Sequence, residues 1–117
     1  MIKDVEIVLS KEAEEIYDYL LEEAKHSKVE ASILRAIRDK SNMIKLDVTY
    51  GNSIRKKEFP KKYIEKYSIT NLYRVELPNF WRMFYTLTQG EEQVKVIAFV
   101  LDIIDHKKYN KIIKFKK

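Results

Sequence analysis

The amino-acid sequence predicts an α+β fold in which two N-terminal helices pack on one face of a small antiparallel β-sheet, in the order β-α-α-β-β-β. Three observations predict it. An alternating segment is followed by two segments with helical periodicity. Two strand-like segments, 71–77 and 81–87, flank the turn Pro78-Asn79-Phe80. A long apolar segment then runs from Val94 to Ile104.

Length and composition limit the class of protein. At 117 residues the chain is expected to form one domain over 1–117. The absence of cysteine excludes disulfides, thiolate metal sites and cysteine nucleophiles. No apolar stretch approaches the ~18 residues that span a bilayer, and the first residues lack the apolar segment of a signal peptide. We therefore expect a cytoplasmic protein that does not bind a membrane.

Charge is distributed unevenly along the chain. The net charge is +5, yet residues 1–30 carry four lysines and nine acidic residues, a balance of −5. The remaining residues carry +10, and the last twelve contain six lysines and no acidic residue. A basic surface of this kind favours polyanions, because each neutralised phosphate releases counterions. A solubilising lysine tail would explain the same composition.

The first part of the chain predicts one strand and two helices. Alternation over residues 5–9 predicts the strand. Ser10 is the expected N-cap of a helix over 11–26, whose first turns carry acidic residues where the helix dipole favours them. The pattern Ser27-Lys28-Val29-Glu30 matches a capping box and predicts the start of a second helix.

The middle of the chain is less regular. Residues 44–50 fit either the end of the second helix or a strand, and we favour the helix. Residues 51–70 are basic and irregular; Pro60 forbids a continuous strand there, although Lys61 to Tyr67 can form a short helical turn. The last strand, 94–104, has few polar residues and is therefore expected to be central and buried on both faces.

Alternation sorts the side chains of the hairpin into two faces. One face is apolar and consists of Tyr73, Val75, Leu77, Trp81, Met83, Tyr85 and Leu87. If that face covers the helices, then Arg74, Glu76 and Arg82 converge on the open face. Such a cluster is either an ordinary cross-strand ion pair, worth about 0–1 kcal/mol, or a set of groups for binding and cleaving a phosphodiester.

The tail adds two candidate residues, His106 and Tyr109, which follow the central strand and can fold back over the open face. A histidine among lysines is also a common solvated surface residue. His26 lies far away on a predicted helix end, so the spacing supports no metal site. Glycine-rich phosphate loops, a serine nucleophile elbow and EF-hand patterns are absent. The sequence therefore predicts neither a metal nor a cofactor.

These elements, with the segments Tyr73-Arg74-Val75-Glu76-Leu77 and Trp81-Arg82-Met83-Phe84-Tyr85, resemble the sheet of the RelE/ParE superfamily, the small toxins of toxin–antitoxin pairs. The second segment is similar to the Tyr-Arg-Leu-Val-Tyr type of strand, whose arginine contacts the scissile phosphate. Arg74 matches a catalytic basic position in the first strand. His106 and Tyr109 resemble the basic or histidine position and the terminal tyrosine of the family's tail. The element order covers most of the chain.

The resemblance implies a RelE-like mRNA interferase, a metal-independent endoribonuclease that inhibits translation by cutting mRNA; the best-known members cut it on the ribosome. Cleavage through the ribose 2′-hydroxyl needs a base, cations at the phosphate and an acid. Glu76 is the expected base, Arg82 with Arg74 the phosphate clamp, His106 the acid and Tyr109 a stacking residue. Six lysines are expected to bind the RNA backbone: Lys56, Lys57, Lys61, Lys62, Lys107 and Lys108. The expected protein partner is an acidic or amphipathic antitoxin.

One residue departs from the family's pattern. Glu76 stands where RelE itself has a lysine, and relatives with a glutamate base place it elsewhere in the chain. ParE-type members inhibit DNA gyrase and lack the nuclease residues. Two alternatives therefore stay open on the same fold: a gyrase inhibitor, and a non-catalytic basic module that binds RNA or protein.

Overall fold

The computed structural model describes residues 4–89 and 95–104. The strands are β1 (Asp4–Leu9), β2 (Asn52–Ser53), β3 (Tyr73–Glu76), β4 (Arg82–Gln89) and β5 (Lys95–Ile104). The helices are α1 (Lys11–Glu23), α2 (Lys28–Leu46) and α3 (Lys61–Tyr67), with 3-10 turns at Lys56–Glu58 and Pro78–Phe80. None of the helices among these residues is long and apolar enough to cross a membrane.

The first helix begins as predicted and ends earlier than predicted. The hydroxyl of Ser10 accepts a hydrogen bond of 3.0 Å from the N–H of Ala13, which caps α1. The helix ends at Glu23, and residues 24–26 form a turn in which the N–H of His26 bonds to the carbonyl of Glu23. The predicted boundary at residue 26 is therefore wrong, because the N–H groups of Lys25 and His26 bond over three positions instead of four.

The second helix confirms the favoured alternative for residues 44–50. α2 continues through residue 44 to Leu46, so this part of the chain is helical. Asp47 then ends it, since its carboxylate accepts hydrogen bonds from the N–H (3.0 Å) and the hydroxyl (2.7 Å) of Thr49. The predicted capping box is wrong: α2 does begin after Ser27, but the Ser27 side chain makes no capping hydrogen bond.

The five strands form one sheet in the order β1-β5-β4-β3-β2. β3, β4 and β5 are a three-stranded antiparallel unit, and β5 lies inside the sheet, between β1 and β4, which confirms the prediction of a central strand. The predicted burial of both its faces concerns side chains that, apart from Ile103, lie outside the described ones. β1, however, pairs with β5 in parallel, from Asp4 beside Lys95 to Leu9 beside Val100. The prediction of an antiparallel sheet is therefore wrong at this edge. The two-residue strand β2, which the predicted order lacks, pairs with β3 in antiparallel at the other edge of the sheet.

The main core lies between the sheet and the first two helices. Ala13, Leu20, Ile33, Ile37 and Ile44 on the helices pack with side chains of the sheet. The sheet side of this core holds Val75, Leu77, Met83, Tyr85 and Ile103, with Tyr73, Trp81 and Leu87 at its margin. The apolar face predicted by alternation is confirmed, because all seven of its members belong to this core.

A second apolar cluster covers part of the opposite face. Tyr63 of α3, Leu72 and Phe84 are buried together, and the ring centroids of Tyr63 and Phe84 lie 5.9 Å apart. Residues predicted as an irregular connection thus include β2, a 3-10 turn and α3, which lies at the predicted helical turn. The face opposite the main core is therefore not open along its whole length, since Phe84 and Thr86 are buried on it.

Candidate functional site

Arg74, Glu76 and Arg82 meet on the sheet face opposite α1 and α2. Arg74 and Glu76 share a face because they lie two residues apart on β3, and Glu76 pairs directly with Arg82 of β4. The Nε atom of Arg74 lies 3.0 Å from Oε1 of Glu76, and the Nε atom of Arg82 lies 3.5 Å from Oε2. The predicted convergence of these three side chains is confirmed, and we call them the charge cluster.

Within the charge cluster the carboxylate is engaged on both sides. Each oxygen of Glu76 faces one guanidinium group, yet neither contact has the geometry of a hydrogen bond. Glu76 is about half exposed at 53%, whereas Arg82 is the most covered of the three at 23%. Partly exposed ion pairs of this kind contribute roughly 0–1 kcal/mol. The contacts are therefore weak enough for an anionic ligand to replace them.

The end of β5 lies beside the charge cluster. The α-carbon of Ile104, the last residue of β5, pairs with that of Arg82. The predicted site residues His106, Lys107, Lys108 and Tyr109 lie outside the described residues.

Four of the six lysines predicted to bind RNA lie on the connection between β2 and β3. Lys56 and Lys57 are exposed in the 3-10 turn, and Lys61 and Lys62 open α3. Lys61 lies 3.8 Å from Glu65, and the Nζ atom of Lys62 lies 5.8 Å from the centre of the Tyr63 ring. None of the four lines the two cavities described next.

Two cavities adjoin Arg74, and both contain residues that the sequence did not single out as site residues. One, of about 200 Å³, is lined by Arg55, Glu58 and Phe84 among others, and Arg55 forms an ion pair of 2.9 Å with Glu58. The other, of about 280 Å³, lies between Lys40 of α2, Tyr50 and the charge cluster. Arg55 belongs to the basic segment noted in the sequence. No local sequence pattern predicts that Lys40 and Tyr50 belong to the site, because only the tertiary fold brings them to Arg74.

A larger cavity of about 430 Å³ lies away from the charge cluster. Its walls come from β1, the C-terminal end of α3 and the far end of β4, including Val8, Ile69, Thr86 and Thr88. Among the side chains that the structure describes, none that lines this cavity is charged. Size alone therefore does not identify the site, and the charged groups lie beside the smaller cavities.

Among the described residues, no three His, Asp or Glu side chains lie close enough together to hold a metal ion. Comparison of the chain with models of protein families, with curated proteins and with solved structures gives no match. Function is therefore inferred from the sequence pattern and from the geometry of the charge cluster.

Proposed function

We propose that this protein is a RelE-like toxin, an endoribonuclease that cleaves mRNA by attack of a ribose 2′-hydroxyl on the adjacent phosphate. The main support for this proposal is the geometry of the charge cluster. Two guanidinium groups each lie within 3.5 Å of the same carboxylate, on the strand pair that resembles the RelE-type hairpin. Guanidinium groups bind phosphate oxygens as a fork and stay charged at all physiological pH values.

The proposed reaction assigns one step to each residue. Arg82 and Arg74 bind the non-bridging phosphate oxygens and stabilise the charge of the phosphorane. Glu76 accepts the proton of the 2′-hydroxyl as the 2′-oxygen bonds to phosphorus. The bond to the 5′-oxygen then breaks, and His106 gives that oxygen its proton. The products are a 2′,3′-cyclic phosphate and a 5′-hydroxyl, and Tyr109 stacks on a base beside the scissile bond.

Binding of the phosphate would also prepare the base. Both oxygens of Glu76 contact guanidinium groups in the protein without RNA. A phosphate that binds these guanidinium groups competes for the same positive charge, so it releases a carboxylate oxygen for the 2′-hydroxyl. Glu76 would thus become available as a base only when RNA is in place.

Chain length makes the role of His106 feasible. Ile104 lies opposite Arg82, and two further residues of chain span at most about 7 Å. This short span is compatible with the role proposed for His106. The lysines at 56, 57, 61, 62, 107 and 108 would add affinity for the RNA backbone that does not depend on sequence. mRNA on the ribosome is the proposed substrate, and an acidic antitoxin that covers the basic face is the proposed partner.

The chemistry of the product ends tests the proposal. Purified protein is incubated with mRNA on translating ribosomes, and the ends of the fragments are mapped. We expect 2′,3′-cyclic phosphate and 5′-hydroxyl ends, and no cleavage where the nucleotide before the scissile bond is 2′-deoxy. The Arg82→Ala, His106→Ala double variant should leave the mRNA intact. Full cleavage by that variant, or cleavage at a 2′-deoxy nucleotide, would refute the assignments.

One observation favours a second function, a non-catalytic module that binds RNA. Both oxygens of Glu76 are occupied by arginines, which is also what a purely structural ion-pair network requires. This function predicts salt-sensitive RNA binding without fragments. The same mRNA assay separates the two, because only the nuclease produces new ends.

A further inference from the structure

The cavity between α2 and the edge of β3 has the features of a second anion site. β2 pairs with β3 only at Tyr73 and Arg74, so within the described residues no strand pairs with the outer edge of Val75 and Glu76. Lys40 of α2 and Tyr50 lie at this gap and enclose, with Arg74 and Glu76, a cavity of about 280 Å³. The short length of β2 thus creates a recess next to the charge cluster.

The wall that carries Tyr50 is held firmly in place. The hydroxyl of Tyr85 donates a hydrogen bond of 2.8 Å to the carbonyl of Val48 and accepts one of 2.9 Å from the N–H of Gly51. A β-carbon on Gly51 would lie 3.0 Å from the Tyr85 ring and 3.1 Å from the carbonyl oxygen of Arg74. Tyr85 is fully buried. Its two hydrogen bonds hold Val48 and Gly51, the two ends of the turn that places Tyr50 at the cavity.

The polar groups of the cavity suit an anion. The Nζ atom of Lys40 donates a hydrogen bond of 3.1 Å to the hydroxyl of Tyr50 and lies 5.5 Å from the centre of its ring. Because this hydroxyl accepts from Lys40, its own proton can be donated to a ligand. The Nε atom of Arg74 is buried, and no acceptor among the described residues meets hydrogen-bond geometry with it. Two cations against the single carboxylate of Glu76 leave the recess positive.

We infer that this recess, formed by Lys40, Tyr50 and Arg74, binds the phosphodiester next to the scissile one in the RNA chain. The inference depends on the proposed function, since it places the neighbouring phosphate of the same substrate. Arg74 lines the recess and also belongs to the charge cluster, so two consecutive phosphates could share it. A volume of about 280 Å³ accommodates one phosphate and its ribose but no longer stretch of chain. Lys40 is therefore a positioning residue that sets the register of the RNA.

Neutralising single phosphates tests the inference. The probes are short 2′-O-methyl oligoribonucleotides, which cannot be cleaved. Each probe carries one neutral methylphosphonate linkage, and the position of that linkage differs from probe to probe. Wild-type protein should bind the probe neutralised beside the scissile position about tenfold more weakly than the unmodified probe, as expected for the loss of one charged contact. Lys40→Met should bind the unmodified probe about tenfold more weakly than the wild type does. Neutralising that one linkage should not weaken the binding of Lys40→Met further.

Two further variants serve as controls. Lys45 is also a lysine of α2, is exposed and lines neither cavity beside Arg74, so Lys45→Met should respond to every linkage as the wild type does. Tyr50→Phe keeps the ring but removes the hydroxyl that Lys40 contacts, and it should weaken the response at the same linkage.

The outcomes separate the inference from the proposed function. If wild-type protein cleaves mRNA and Lys40→Met still responds to each linkage as the wild type does, the second phosphate site is wrong and the nuclease stands. If the wild type neither binds the probe nor cleaves mRNA, both are wrong. Binding with the predicted loss at one linkage, but without cleavage of mRNA, keeps the phosphate site and assigns it to a non-catalytic RNA-binding protein.

Discussion

Tyr85 connects the core of the protein to its candidate site. Its ring stacks on Tyr73 with centroids 5.1 Å apart, and its hydroxyl is bonded to Val48 and Gly51 in the turn that leads into β2. Burial raises the pKa of the Tyr85 hydroxyl above its ordinary value of 10.0, the Gly51 hydrogen bond acts in the opposite direction, and Tyr73 raises the pKa further. One residue of the core thus holds the turn that carries Tyr50.

Tyr85→Phe should destabilise the protein without disturbing its packing. The substitution leaves the N–H of Gly51 and the carbonyl of Val48 without their buried partner, which costs about 1–3 kcal/mol. Urea denaturation measures the change in the free energy of unfolding. Tyr73→Phe is the matched control, because it removes the hydroxyl of the neighbouring ring. Equal stability of wild type and Tyr85→Phe would show that the hydroxyl does not hold this turn.

The same variant should change the dependence of stability on pH. Because the folded-state pKa of Tyr85 is raised, the folded protein holds this proton more tightly than the unfolded chain does. The associated stability is complete below about pH 10 and is lost as the pH rises from there toward the folded-state pKa. The advantage of the wild type over Tyr85→Phe should therefore shrink above that pH. An advantage that grows instead would contradict the direction of the shift.

At the scale of elements, the two helix starts differ although their sequences look alike. Ser10 caps α1 through its hydroxyl, whereas Ser27 makes no such bond at the start of α2. Ser10→Ala should therefore lower the free energy of unfolding by about 1 kcal/mol, and Ser27→Ala by much less. Thermal unfolding of the two variants side by side gives the comparison. A larger loss for Ser27→Ala would contradict the assignment of the caps.

The side chain of Glu12 connects α1 to α3. Glu12 of α1 accepts a hydrogen bond of 2.8 Å from the hydroxyl of Tyr67 and forms an ion pair with Lys66, both at the end of α3. Glu12→Ala should release this end of α3, with a loss of up to about 1 kcal/mol because the ion pair is partly exposed. Hydrogen exchange of the α3 amides should become faster.

Glu14→Ala is the control for that experiment. Glu14 is also an acidic residue in the first turn of α1, so both variants lose a favourable interaction with the helix dipole. Glu12 has a hydrogen bond and an ion pair to α3, so the Glu12 variant alone should change hydrogen exchange of the α3 amides. If both variants accelerate exchange equally, the contact with α3 is not the cause.

The elements show where sequence patterns are informative. Period-two alternation in 71–77 and 81–87 is a local signal, and it correctly assigned the core face and the convergence of Arg74, Glu76 and Arg82. The parallel pairing of β1 with β5 joins segments about 90 residues apart, and β2 is only two residues long, so neither leaves a periodic pattern. Lys40 and Tyr50 were missed for the same reason, because only the tertiary fold brings them to Arg74.

For the whole molecule, the separation of charge along the chain has a counterpart in the fold. The segment 4–30, in which acidic residues outnumber lysines, forms β1 at one edge of the sheet, α1 and the start of α2. The charge cluster, Arg55 and the four lysines of the connection lie on the opposite face of the sheet or on the segment that covers part of it. An RNA chain would therefore meet the face away from α1 and α2, with association that weakens as salt concentration rises.

In the proposed reaction Arg82 stabilises the transition state, and this role can be measured as the rate at which two arginine variants cleave one mRNA site. Arg35 is an exposed arginine of α2 that lines neither cavity beside Arg74, so Arg35→Ala removes the same charge elsewhere on the molecule. We predict that Arg82→Ala lowers the single-turnover rate by about 10²–10³, as for loss of one group that stabilises the transition state, while Arg35→Ala leaves it unchanged. Equal rates for the two variants, with both proteins folded, would contradict the account.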